Sequence, residues 1–218
     1  MIASVRGLHW PPQATRENET LRLSLGFGVF CVVAMAELDQ DLNSRQIWTY
    51  GLEAMQKMAS SSVAVLGMNG VGAEVAKNLI LANVKDVALF DDRPTSFADL
   101  SSHFYLSESD IGSNRAHACR VRLQELNPAV SVTAHAIDYS SASACLSLQQ
   151  HGTVVLCDVP LDECVKLNEF CRAQRPVINF VMVQACGLCF RVFSDFGSGT
   201  DPASAFKFVS IDSPYIVR

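Results

Sequence analysis

The chain has 218 residues, 49% of them hydrophobic and 18% charged; 17 Lys and Arg against 22 Asp and Glu leave a formal net charge of −5. That length suits one domain, and the apolar fraction suffices for a real core, which excludes wholesale disorder. The acidic balance offers no broad attraction for nucleic acid or anionic lipid, so neither is expected as a partner.

Residues 1–40 read differently from the rest. An apolar run, Leu25–Ala36, is too short to cross a bilayer, which needs about 20 residues. It ends in Ala34-Met35-Ala36 with Arg16 and Arg22 upstream, like the core of a targeting segment. Glu17 and Glu19 and the lack of a compact basic start favour the blander readings, a disordered extension or a mispredicted first exon. These residues are therefore left as an unassigned extension. The eight cysteines are scattered along a long chain, which points to reduced, buried thiols of a cytosolic protein rather than a disulfide scaffold.

From Ser62 onward, short apolar runs alternate with helical stretches. Val63–Leu66 reads as a buried strand, Ala73–Ala82 as a helix and Asp86–Phe90 as a second strand. Arg115–Leu126 places Ala116, Cys119, Leu123 and Leu126 on one helical face, and Asn127-Pro128 ends it. Val130–Ala134 and Thr153–Leu156 read as strands, Asp162–Ala173 as a helix and Val177–Val183 as a strand. Gly187 follows, and Cys189–Phe193 is expected to pair back as an antiparallel hairpin. This order predicts an α/β fold: a Rossmann-like, mostly parallel sheet with helices on both faces.

The first strand runs straight into Gly67-Met68-Asn69-Gly70-Val71-Gly72. Glycines here allow a tight turn and close approach of a phosphate, whose charge is favoured at a helix N-terminus. Asp91 ends the second strand, 19 residues beyond Gly72, about where a carboxylate would hold a ribose hydroxyl. The spacing is G-x-x-G-x-G, however, and a dinucleotide fingerprint begun at Gly70 puts Val75 in place of its third glycine. The glycines equally suit close packing of helix against sheet, and Asp91 equally suits a cap at the strand end.

Three segments in order, Asn43–Gly51, Gly67–Gly72 and Ala98–Leu106, resemble the amino-terminal adenylation half of ubiquitin-activating enzymes, in the ThiF/MoeB-like superfamily. Glu125-Leu126-Asn127-Pro128, Glu169-Phe170-Cys171 and Phe193-Ser194-Asp195-Phe196-Gly197 extend the match over residues 41–218. The resemblance implies an adenylation domain from a longer enzyme that activates ubiquitin or a ubiquitin-like protein with ATP and magnesium, in the cytoplasm and nucleus.

It also implies that this half is silent. Active members show G-x-G-G-x-G, whereas Asn69 stands at the middle glycine; they show D-x-D, whereas Arg93 stands at the second acid. Their N-x-x-R falls on Asp99 and Ser102, their ATP-binding lysine on Arg115 and their later magnesium-binding Asp near Pro160, two places beyond Asp158. Gly67, Gly70, Gly72, Asp91 and Arg115 are thus expected as a vestigial nucleotide site, with ATP and magnesium held by a partner half and no metal site in this chain. Arg45 matches the arginine that reaches across to phosphates bound in the opposite half; its plain alternative is a surface arginine paired with Glu53 or Asp41.

Two other readings remain open: a separate regulatory subunit of a heterodimeric SUMO- or NEDD8-type activating enzyme, and a nicotinamide-dependent oxidoreductase. Val75 and the want of an acid–base constellation argue against the latter. Cys186-Gly187-Leu188-Cys189 is a lone C-x-x-C; placed in one extended strand its thiols would point to opposite faces, a poor zinc site. No Ser-His-Asp set is legible.

Overall fold

A computed structural model describes residues 41, 43–138 and 142–197, the side chains of 142–144 aside. The apolar run Leu25–Ala36 and everything beyond residue 197 lie outside the described residues. Two short helices come first, α1 (Ser44–Tyr50) and α2 (Leu52–Ser60). The alternating unit follows as β1 (Ser62–Leu66), α3 (Gly70–Leu81), β2 (Asp86–Phe90), α4 (Arg115–Gln124) and β3 (Ser131–His135). It continues through α5 (Ala142–Leu148), β4 (Thr153–Cys157), α6 (Leu161–Ala173), β5 (Asn179–Cys186) and β6 (Cys189–Asp195).

The six strands form one sheet in the order β3-β2-β1-β4-β5-β6. All pairs are parallel except β5 with β6. The expected mostly parallel α/β sheet is therefore present. Successive side chains of a strand point to opposite faces, and the core splits accordingly. Val63, Val65, Val87 and Leu89 pack with Ala73, Ala76 and Ile80 of α3 and Ala116, Cys119 and Leu123 of α4. Ala64, Leu66, Ala88 and Phe90 face the other way, against Cys164, Leu167 and Cys171 of α6 and Leu148 of α5. Helices thus cover both faces, and each fully buried large side chain contributes about 1.5–3 kcal/mol.

Several boundaries differ from the sequence reading. Helix α3 begins at Gly70, inside the glycine run, because the Asn69 side chain accepts the Gly72 N–H at 2.9 Å and caps it there. Asn83, at φ +63°, turns the chain out of α3. Asn127, from the Asn-Pro that ends α4, donates to the Ile80 carbonyl at 3.1 Å and so ties the two helix ends together. Strand β5 runs from Asn179 to Cys186, later than expected at both ends. Helices α1, α2 and α5 are additions to the sequence reading; each is nine residues or shorter, too short a run to stand out in the sequence.

The C-x-x-C reading needs correction. Cys186 and Cys189 are not on one strand: they end β5 and begin β6, face each other as a ladder pair, and are exposed at the hairpin tip rather than buried. The serine–histidine–aspartate geometry was also missed. Ser62 Oγ donates to Asp86 Oδ1 at 2.6 Å and meets His151 Nδ1 at 2.6 Å, pinning the amino ends of β1 and β2 to the start of β4. That cluster is no nucleophilic relay, because hydroxyl and carboxylate crowd the same ring nitrogen and leave the other unoriented.

Leu123 is fully buried and Trp48 is 84% exposed. Leu123→Ala is expected to lower unfolding stability by about 2–5 kcal/mol, and Trp48→Ala to change it by no more than about 0.5 kcal/mol. Urea unfolding of the two variants checks the assignment of core and surface.

Candidate functional site

In an open α/β sheet, ligands bind beyond the carboxyl ends of the strands, where the strand order reverses. Here that point lies between β1 and β4, which are neighbours in the sheet. Gly67 and Asp158 follow these two strands directly, and the glycine turn fills the space between them.

The turn is closed by the chain's own atoms. Gly67 sits at φ +90°, and a Cβ there would lie 2.4 Å from the Cys157 carbonyl oxygen of β4. A Cβ on Gly72 would lie 2.0 Å from the Gly67 carbonyl oxygen. A Cβ on Gly70 would lie 2.6 Å from the Ser102 carbonyl oxygen. All three glycines are thus demanded by backbone packing. The group facing Gly70 is a hydrogen-bond acceptor, where an approaching phosphate would need donors.

The switch point is also bridged. Asn69 Nδ2 donates to Asp158 Oδ2 at 2.6 Å, and the Ala185 amide of β5 donates to Asp158 Oδ1 at 2.7 Å. Asp158 takes φ +54°, a conformation that Asp tolerates better than bulkier residues. Both of its carboxylate oxygens are therefore engaged within the fold.

Asp91, at the end of β2, is 1% exposed. Its carboxylate accepts from the Met68 amide at 2.7 Å, the Arg93 amide at 2.9 Å and Arg115 Nη2 at 2.7 Å. Arg115 is the first residue of α4 and only 6% exposed; its Nη1 donates to Asp99 Oδ1 at 3.0 Å. One guanidinium thus bridges two carboxylates, the geometry that makes a charge-assisted pair strong. Burial raises the Asp99 carboxyl, but two bonds from Ser96 and the Arg115 charge outweigh it and hold the group below its ordinary range.

Around this triad lies the long β2–α4 crossover. Arg122 donates to Asp110 Oδ2 at 2.7 Å and to the Tyr105 carbonyl at 2.6 Å, anchoring the crossover to α4. Bonds from Ser107 and Arg122 hold the Asp110 carboxyl down to about 2. His103, 2% exposed, accepts from the Tyr105 amide through Nδ1. Burial, and after it the Arg115 charge, lower its basicity.

The predicted residues Gly67, Gly70, Gly72, Asp91 and Arg115 are therefore brought together, and Arg45 is not. Arg45 lies exposed on α1. Its neighbour Gln46 bonds the Leu81 carbonyl at the far end of α3, roughly 17 Å along that helix from Gly70. Arg45 cannot serve its own glycine turn. Glu53 pairs with Lys57 rather than with Arg45. Sequence reasoning missed the roles of Asn69, Asp158 and Asp99. Asp99 carried the one usable signal, an acid in the N-x-x-R slot not far ahead of an arginine at the lysine slot.

The lowered Asp99 and Asp110 carboxyls favour the folded state above their ordinary value of 3.8, and that advantage is lost as pH falls through their folded values. Stability is expected to fall as pH drops from about 4 towards about 2, and Asp110→Asn to flatten that slope; thermal melts across the range check both.

Residues 43–202 match the ThiF family. The chain is 42% identical over 190 residues to "Ubiquitin-activating enzyme E1 1" of Triticum aestivum, covering 83% of this chain and 18% of that protein. It is 42% identical over 191 residues to "Ubiquitin-like modifier-activating enzyme 1" of Rattus norvegicus, covering 84% of this chain and 18% of the relative. It thus spans about a fifth of the length of these relatives. Among solved structures, E. coli MccB bound to succinimide superposes with a TM-score of 0.59 at 20% identity, over 65% of this chain and 44% of MccB, a likeness of fold. With the mostly parallel sheet, the glycine turn and a family match over most of the described domain, the chain belongs to the ThiF family.

Proposed function

We propose that the chain is the silent amino-terminal adenylation half of a ubiquitin-like-modifier-activating enzyme, acting in the cytoplasm and nucleus. The observation that carries this reading is the Asn69–Asp158 hydrogen bond, which spans the crevice where a nucleotide would lie. Asp91, Arg115 and Asp99 add to it. The groups matching a ribose acid and a phosphate cation are joined to each other, so binding a nucleotide would mean parting a buried ion pair. Ser102 also presents a carbonyl to the turn instead of a phosphate-binding cation. The residues of this chain do not fit ATP.

In this reading a partner half or subunit holds ATP and magnesium, and the modifier is ubiquitin or a ubiquitin-like protein whose carboxylate is adenylated there and passed on as a thioester. The present half supplies a scaffold and Arg45. Arg45 is exposed and distant from its own turn, as a residue serving another active centre must be. A guanidinium brought in trans neutralises phosphate charge only when both halves assemble, which makes the chemistry conditional on assembly. Exposed apolar side chains support a covered face: Trp48, Tyr50 and Leu81 near the far end of α3, and Phe97 and Phe104 in the crossover that packs on its start. Large apolar side chains left exposed like these suit surfaces that a partner covers.

Titration of the chain with ATP and magnesium is expected to give no binding heat at millimolar nucleotide; clear micromolar binding would overturn the silent-half reading. In the assembled enzyme, Arg45→Ala is expected to slow ATP–pyrophosphate exchange by about 10²-fold, as loss of a transition-state donor does, with the melting temperature unchanged. An unaltered exchange rate would refute the trans role.

A further inference from the structure

Two exposed thiols meet at the tip of the β5–β6 hairpin, and adenylation has no use for them. Cys186 and Cys189 are ladder partners with only Gly187-Leu188 between them. Gly187 takes φ +59°, while Leu188 is not left-handed, the pattern of the two-residue type II′ turn that holds flanking strands in register. Directly opposed residues of an antiparallel pair project to the same face, with Cα atoms about 4.5–5.5 Å apart. A disulfide requires about 4.4–6.8 Å between Cα atoms, so the ladder register alone brings the two Cα atoms within that range.

The surroundings suit a reagent from solution. Both thiols are exposed, and they line a cavity of about 730 Å³ together with Asp158, Gln184 and Arg191. The next ladder pair on the same face is Gln184 with Arg191, joined by a 2.6 Å hydrogen bond. That places a guanidinium beside the thiols, where it draws in an anionic reagent. The buried cysteines are poor competitors: burial pushes the Cys119, Cys157 and Cys171 thiols up to about 12 and keeps them from reagents in solution.

We propose that Cys186 and Cys189 form a reversible dithiol–disulfide site whose oxidant is a small anionic disulfide of the glutathione type. One Cys thiolate attacks a sulfur of the oxidant, breaking its S–S bond and releasing one thiol. The second Cys thiolate then attacks the mixed disulfide at the protein sulfur and releases the other thiol. One S–S bond forms in the protein and one breaks in the reagent, which takes up two electrons and the two protons that the cysteines lose. The closed tip pins the turn and stiffens one wall of the adjoining cavity.

The test is to equilibrate the full chain with glutathione and glutathione disulfide, quench in acid, alkylate and map peptides by mass. The expected result is that Cys186 and Cys189 lose alkylation together, their peptide lighter by two hydrogen atoms, and that dithiothreitol restores both. Cys119, Cys157 and Cys171 should stay alkylatable once the quenched chain is unfolded. With Cys186→Ser, or separately Cys189→Ser, the remaining thiol should instead carry a glutathione adduct. Stable glutathione adducts on both cysteines of the unaltered chain, or full alkylation of both under oxidising buffer, would overturn the proposal.

Discussion

The buried carboxylate of Asp91 holds three parts of the molecule at once. It accepts an amide from the glycine turn, an amide from the start of the crossover and the guanidinium that opens α4. An unpaired carboxylate at this depth would cost several kcal/mol, so each of these segments must come to it. The turn therefore curls over the end of β2, α4 begins where Arg115 can reach, and Asp99 is drawn in on the far side of the same guanidinium. Much of the crossover's course follows from satisfying this one charge and the cation that answers it.

The same wiring occupies groups that a nucleotide site would leave open. A phosphate-binding turn works by leaving amides and cations unanswered until the ligand arrives. Here the Gly72 amide is capped by Asn69, the Met68 amide by Asp91, and Arg115 by two carboxylates. Asn69 does two things with one amide group: its oxygen starts α3 and its nitrogen crosses to Asp158. That one side chain both closes the crevice and caps the helix.

The hairpin at the sheet edge shows how turn chemistry changes the meaning of a motif. Within one strand, a C-x-x-C separates its sulfurs across two faces. Around a two-residue turn the same spacing makes them neighbours. The buried cysteines act instead as small apolar side chains in the two core layers, Cys119 and Cys157 on one face and Cys164 and Cys171 on the other.

The sequence by itself determined the alternating α/β order, the parallel sheet, the glycine turn at the end of β1 and the position of Asp91, because strand runs and glycine punctuation are local signals. The resemblance to the adenylation family, rather than any local signal, set Asn69, Arg93, Asp99, Ser102 and Arg115 apart from the pattern expected of active members. The sequence could not show which contacts these residues make. The Asn69–Asp158 bond joins residues 89 apart, the Arg115–Asp91 pair joins residues 24 apart, and the Ser102 carbonyl over Gly70 is a backbone atom with no side-chain signal. The distance of Arg45 from its own turn, and the meeting of Cys186 with Cys189, were likewise decided only in three dimensions, by the length of α3 and by the register of one hairpin.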